Sequence, residues 1–171
     1  MAVDQQDLLR RRVLGRGLAC PEIVPGLEVS RDLRLEEGPN GLDLAQVEGI
    51  DNVTQALAIA LTTALSSDIF NVAFGFDGIN ALIEETNPVL VRERVRVSVI
   101  QTLRQDPRVR RIVDLKLLDR RLELAAGGPA TADETLTEAL ERWRTLDVQV
   151  AFETVTGDQA VMTLGKAVSN G

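Results

Sequence analysis

The chain has 171 residues, 44% apolar and 26% charged, with a net charge of −7, which suits one compact domain with a sizeable core. That acidic balance gives no electrostatic ground for nucleic-acid binding, and base stacking is poorly supplied because Phe70, Phe74, Phe76, Phe152 and Trp143 are the only aromatic residues. Histidine is absent and Cys20 is the single cysteine, which removes Ser-His-Asp triads, Cys-His dyads, histidine-ligated metals and internal disulfides.

The first residues, with arginines at 10 to 12 and no continuous apolar run, do not read as a signal peptide. No stretch approaches the roughly 20 apolar residues needed to span a bilayer. Synthesis in the cytoplasm and no membrane insertion are therefore expected. Residues 1–30 read as an N-terminal arm, a short helix near Gln5 to Leu14 followed by an extended segment punctuated by Pro21 and Pro25. Such an arm either lies on a partner or is disordered.

A single domain is expected over 31–168, with a short tail at 169–171. It opens on a β-hairpin over 31–48, where Leu33 and Leu35 alternate with Arg34 and Glu36, and Leu42 and Leu44 form the other arm. Asn40-Gly41, within Gly38-Pro39-Asn40-Gly41, is expected to supply the left-handed turn conformations. A helix follows, capped by Asp51, with Val53, Ala56, Leu57, Ala60, Leu61, Ala64 and Leu65 at helical spacing. Ser66, Ser67 and Asp68 end it. Phe70, Phe74 and Phe76 then fall within seven residues, either pinning a loop to the core or serving as interface anchors; the cost of exposing phenylalanine favours the core.

A short helix is expected over 77–85, and Asn87-Pro88 marks the start of a longer one. Val91, Val95, Val99 and Leu103 step by four as on a helix, while Val95, Val97 and Val99 alternate as on a strand. The Asn-Pro start and the length of the run favour a helix ending at Pro107, with the stems of Arg92 and Arg96 flanking its apolar stripe. Strand alternation follows at Val113, Leu115 and Leu117, again over Asp147 to Thr154, and, after the turn Thr156-Gly157-Asp158, over Gln159 to Leu164. Between the first two of these strands lie Gly127-Gly128-Pro129 and an amphipathic helix, with Thr131 and Glu134 as a capping box and Leu136, Ala139, Leu140 and Trp143 as its apolar face. The fold class is α+β, a small mixed or antiparallel sheet with packed helices.

Catalytic chemistry has little foothold in these residues. Glycoside hydrolysis needs two carboxyls facing each other across a cleft, whereas Glu36-Glu37 and Glu84-Glu85 are sequence neighbours whose side chains diverge and read as surface charge. Gly15-Arg16-Gly17 and Gly127-Gly128 lack the lysine and strand-loop-helix context of a phosphate loop, and no calcium-loop spacing occurs. No catalytic, metal or cofactor-binding residue is assigned. What remains is interaction surface, including a sheet edge able to accept a partner strand, unless the chain's own arm or helix shields it.

Residues 49–118 run Gly-Ile-Asp-Asn-Val-Thr-Gln-Ala-Leu, helix, Phe70-Asn71-Val72-Ala73-Phe74-Gly75, helix, Asp106-Pro107-Arg108-Val109, strand. This order resembles the small baseplate wedge subunits of contractile phage tails, the gene-twenty-five-like or lysozyme-like family. That family includes the TssE wedge subunit of type VI secretion and homologues in extracellular contractile injection systems. The resemblance covers the central seventy residues well and the closing strands to about 165 more loosely. It implies a Glu-Pro-Arg signature that binds the core bundle of larger wedge proteins, here Asp106, Pro107 and Arg108, with aspartate in the place of glutamate. Read without the family, the same tripeptide is a helix stop with an arginine near the last carbonyls.

The resemblance further implies C-terminal strands like the sheath's interlocking domain, which accept sheath strands and template the first sheath ring. It also implies six copies per baseplate, hub or tube-initiator proteins as further neighbours, residence in a virion or injection particle, and no lysozyme activity despite the historical label. The stretch 120–145 is an insertion relative to the family, expected to touch a neighbour. The competing readings are a peptidoglycan hydrolase and a small adaptor that belongs to no tail.

Overall fold

A computed structural model describes residues 5–23, 31–84, 87–119 and 146–164. Pro25, Glu85, the 120–145 insertion with its expected capping box and Trp143 face, and the 169–171 tail lie outside the described residues. The described chain is α+β, with helices on small antiparallel sheets. In chain order these are α1 (Gln5–Leu14), β1 (Arg16–Leu18), β2 (Leu35–Gly38), β3 (Gly41–Leu44), β4 (Gln46–Glu48), α2 (Gly49–Thr62), α3 (Gly78–Glu84), α4 (Pro88–Gln105), β5 (Val109–Asp119), β6 (Leu146–Thr154) and β7 (Gln159–Leu164).

The ambiguous valine run is a helix. Val95, Val99 and Leu103 are fully buried, whereas Val97, which a strand would have turned to the same face, is 51% exposed. Asn87 caps α4 by accepting a hydrogen bond from the Val89 N–H at 3.0 Å, ahead of proline at the first helical turn. Arg92 reaches across to donate to the Leu117 carbonyl of β5 at 3.1 Å, so its head group ties helix to sheet.

The C-terminal meander runs β5-β6-β7, antiparallel throughout. Leu115↔Val150, Leu117↔Val148, Val148↔Leu164 and Val150↔Met162 are cross-strand partners, which places the alternating apolar residues on one face. That face closes on Val53, Leu57 and Leu61 of α2 and on the buried stripe of α4 to form the core. Phe152 is the largest wholly buried side chain among the described residues. Two register shifts, at Val109/Arg111 and Ile112/Asp114, kink β5; β6 and β7 pair without interruption.

The described part of the N-terminal segment lies along α2. Leu14 is buried in the core, and β1 pairs with β4 in the register Arg16↔Glu48, Gly17↔Val47, Leu18↔Gln46. The Gln55 side chain holds this stretch at both ends, donating to the Leu18 carbonyl at 2.8 Å and accepting from the Cys20 N–H at 2.7 Å. Asn52, on the same side of α2, fits because position 17 is glycine: a Cβ there would stand 2.7 Å from the asparagine oxygen.

Three local expectations are corrected. Helix α2 stops at Thr62, with Thr63 already extended, so Ala64 and Leu65 lie beyond it and Ser66 to Asp68 do not end it. Asp51 does not cap α2. The helix begins at Gly49, where a left-handed φ of 65° turns β4 directly into it, and Glu48 occupies the cap position without a side-chain hydrogen bond. Asp51 sits in the first turn, where its charge suits the helix dipole. The hairpin pairs Gly38 with Gly41, so Pro39 and Asn40 are its central residues. Proline cannot take a left-handed φ, and Gly41 alone of the four supplies one, at 110°.

Candidate docking site

Helix α4 ends where Pro107 denies it another turn. Asp106 turns out of the helix with its N–H still donating to the Leu103 carbonyl at 3.3 Å, and its own carbonyl accepts the Val109 N–H at 3.0 Å. This tight reversal brings Arg108 back over Asp106. The guanidinium pairs with the carboxylate in a fork, Nε to Oδ1 at 2.9 Å and Nη2 to Oδ2 at 2.6 Å, while the Arg108 backbone N–H also donates to Oδ1 at 2.9 Å. Planar, bidentate, charge-assisted pairing of this kind is among the stronger polar contacts.

The third arm of Arg108, Nη1, donates at 3.1 Å to the carbonyl of Leu14, 94 residues away. Asn52 Nδ2 donates to the same oxygen, also at 3.1 Å. Leu14 is the last residue of α1, whose final carbonyls have no partner within the helix, so Asn52 and Arg108 finish that helix end between them. Burial pushes the Asp106 carboxyl up, but the Arg108 side-chain and backbone hydrogen bonds, together with its charge, outweigh burial and hold the carboxyl below its ordinary range. The same pairing raises the Arg108 guanidinium against the opposing effect of burial.

Beside this clasp lies a largely apolar cleft of about 310 Å³, lined by Ala56, Leu57 and Ala60 of α2, Phe74 and Gly75 of the following loop, Thr102 and Gln105 of α4, and Asp106, Pro107 and Arg108. Ala56 and Ala60, small residues on one side of α2, leave the room. Gly75 is required on its other side: with φ of 113°, a Cβ there would stand 2.7 Å from the Ala64 carbonyl oxygen. Phe76 next to it forms a short parallel bridge with Ala64, its N–H donating to the Thr63 carbonyl at 2.8 Å.

The three phenylalanines divide. Phe76 is buried in the core, its ring over Gly78, and Phe74 is half-buried at the cleft. Phe70 is 94% exposed, with Ile69 and Val72 beside it at 79% and 61%. The expectation that this cluster serves the core therefore fails for Phe70. The bridge between Ala64 and Phe76 closes the loop's ends, so its middle projects away from the body instead of folding beneath it.

The sequence singled out Asp106, Pro107 and Arg108, and they stand together at the cleft. It did not single out Asn52, Ala56, Gln105 or the Leu14 carbonyl as their neighbours. A polar residue at position 52, interrupting the buried face of an otherwise apolar helix, was the one available signal. Glu36, Glu37 and Glu84 are exposed, and Glu36 lies across the hairpin from Asp43. Among the described residues no group of three or more acidic or cysteine side chains could hold a metal ion, and no helix is long and apolar enough to cross a membrane.

No family model matches the sequence, and no curated protein matches it. Among solved structures the chain is similar to a Geobacter sulfurreducens protein provisionally named a tail lysozyme. The two share 16% identity with a TM-score of 0.41, over 71% of this chain and 93% of that one.

Proposed function

We propose that this chain is a structural baseplate wedge subunit of a contractile injection machine, without hydrolase activity, which docks onto larger wedge proteins through the cleft at Asp106-Pro107-Arg108. One observation carries the reading. Residues from the three separated stretches on which the sequence resemblance rests, Ala56-Leu57 at the end of the Gly49–Leu57 stretch, the Phe74-Gly75 turn and the Asp-Pro-Arg stop, line a single apolar cleft. A helix of the core bundle that inserts there meets an apolar floor and, at the rim, the guanidinium donors of Arg108 that the clasp leaves over: of five N–H groups, three face Asp106 and Leu14. Aspartate in place of the family's glutamate is accommodated because the tight turn at Pro107 brings the shorter carboxylate within reach of the guanidinium.

The sheath is the proposed second partner, added as a strand to the meander. Of its two outer strands, β5 is kinked twice and carries Arg110, Arg111, Asp114 and Lys116, features that discourage pairing. Strand β7 is Gln-Ala-Val-Met-Thr-Leu, uncharged and regular, and is the better acceptor.

Filling the cleft tests the reading without disturbing the clasp. Ala56→Phe, on a part-exposed face of α2, is expected to leave the purified subunit folded with an unchanged circular dichroism spectrum. In the cells that make it, the same substitution is expected to abolish sheathed particles seen by electron microscopy. Normal particles from Ala56→Phe would overturn the docking role, and clearing of purified cell walls by the wild-type chain would overturn the non-enzymatic one.

A further inference from the structure

We propose that the tip of the loop after α2, Ile69-Phe70-Val72, is a preformed apolar knob that inserts into an apolar pocket with a basic rim on a different protein. Three large apolar side chains standing in solvent within four residues are unusual on a chain with so few aromatics, and Phe70 is the most exposed large apolar residue among the described residues.

The loop that carries them is held, not slack. Its ends are joined by the Ala64–Phe76 bridge, and turns close internally from Asn71 N–H to the Asp68 carbonyl at 3.1 Å and from Phe74 N–H to the Asn71 carbonyl at 3.0 Å. The Asp68 carboxylate accepts the Phe70 N–H at 2.9 Å. Ser66 spans the loop, its hydroxyl donating to the Val72 carbonyl at 2.9 Å. It does so from a left-handed backbone with φ of 64°, the only non-glycine residue so placed among the described residues, a conformation that costs energy and persists only where the surroundings impose it. A knob fixed in advance loses little freedom on binding, which is what an aromatic anchor requires.

Charge identifies the partner. From Leu35 to Val91 the sequence contains nine of the chain's 26 acidic residues and none of its 19 basic ones, leaving 17 acidic against 19 basic elsewhere. The knob is set in this stretch, between Asp68 and Asp77. Arg94, reaching in from α4, is engaged by Asp77 at 3.8 Å and Glu84 at 3.4 Å, and Asp68 has no ion-pair partner among the described residues. A complementary surface is therefore apolar at its centre and lysine- or arginine-rich at its edge. An anionic lipid surface is repelled by the same stretch, and a two-fold contact between copies through the knob would set Asp68 against Asp68.

The test places a photo-reactive residue at the tip, Phe70→benzoylphenylalanine, in the full chain in its native cells, with Glu36→benzoylphenylalanine on the exposed hairpin as reference. The purified Phe70 variant is first checked for an unchanged melting temperature. The expected result is an adduct on another protein, mapped by mass spectrometry to an apolar stretch bordered by lysine or arginine. Asp68→Lys is expected to reduce its yield at least fivefold, and a partner Lys→Glu or Arg→Glu at that border to restore it. An adduct on a second copy of this chain, on lipid, or none above the reference overturns the proposal, as does a yield indifferent to Asp68→Lys. Failure here with assembly still blocked by Ala56→Phe removes the knob and leaves the wedge reading. A charge-swappable adduct on a protein of no tail does the reverse.

Discussion

The clasp at Arg108 and the tip at Phe70 treat their conspicuous side chains in opposite ways. Arg108 carries a full charge and is the residue a surface reading assigns outward, yet three of its donors are spent on Asp106 and Leu14. Phe70 is apolar and is the residue a core reading assigns inward, yet it stands in solvent. What decides each case is the backbone around it. A proline-enforced reversal aims the guanidinium back at its own helix end, and a bridge across the loop's base aims the ring away. Residue chemistry sets what a side chain can do; local closure sets which of those things it does.

The comparison makes the two regions respond differently to mutation. The largest effect is expected at the buried end of the loop: Phe76→Ala removes a core ring and should cost about 3–5 kcal/mol in denaturant unfolding. Next comes Arg108→Ala, which strands a part-buried carboxylate and a helix-end carbonyl and should cost about 2–3 kcal/mol. A cost under about 0.5 kcal/mol would place Arg108 outside the folding energetics, on a level with Phe70.

A smaller and pH-dependent effect belongs to Asp106. Its carboxyl is held below the ordinary range when folded, so its contribution is fully present above the unfolded pKa of about 4. That contribution is lost as pH falls through the lower, folded value. Melting temperatures of the wild type should therefore fall more steeply below pH 4 than those of Asp106→Asn, while the two curves run parallel above pH 5. The smallest effect is at the tip. Phe70→Ser should change stability by no more than about 0.5 kcal/mol, and a loss of 2 kcal/mol or more would show that the ring is in fact packed.

Much of the fold could be read from residues alone because period and punctuation agreed. The 147–154 and 159–164 strands, joined by Thr156-Gly157-Asp158, are places where apolar spacing and turn chemistry point the same way, and at Asn87-Pro88 the cap decides a run whose apolar spacing alone is ambiguous. The capping of α2 was misread because a glycine can turn a strand into a helix with no spacer, which leaves a good capping residue stranded two positions inside. The hairpin was misread by one residue because Asn-Gly is a strong signal and Pro39 a stronger constraint. At the candidate site, the tripeptide was visible but its neighbours were not. Asn52 and Arg108 converge on the Leu14 carbonyl oxygen from 38 and 94 residues away, and no local pattern encodes a meeting over that distance. The fate of Phe70 was likewise set by a pairing of Ala64 with Phe76 that residue type does not announce.

The shared carbonyl at the end of α1 has a consequence for how the chain is made. That helix is synthesised first, but the side chains that finish it arrive later, Asn52 after 38 residues and Arg108 after 94. At ribosomal rates of about 5–20 residues per second, the second arrives roughly 5–20 s behind the helix. A ten-residue helix is marginal by itself, so α1 spends those seconds forming and fraying at the tunnel mouth. Its completion is thereby tied to the emergence of Arg108, well after its own residues have left the ribosome.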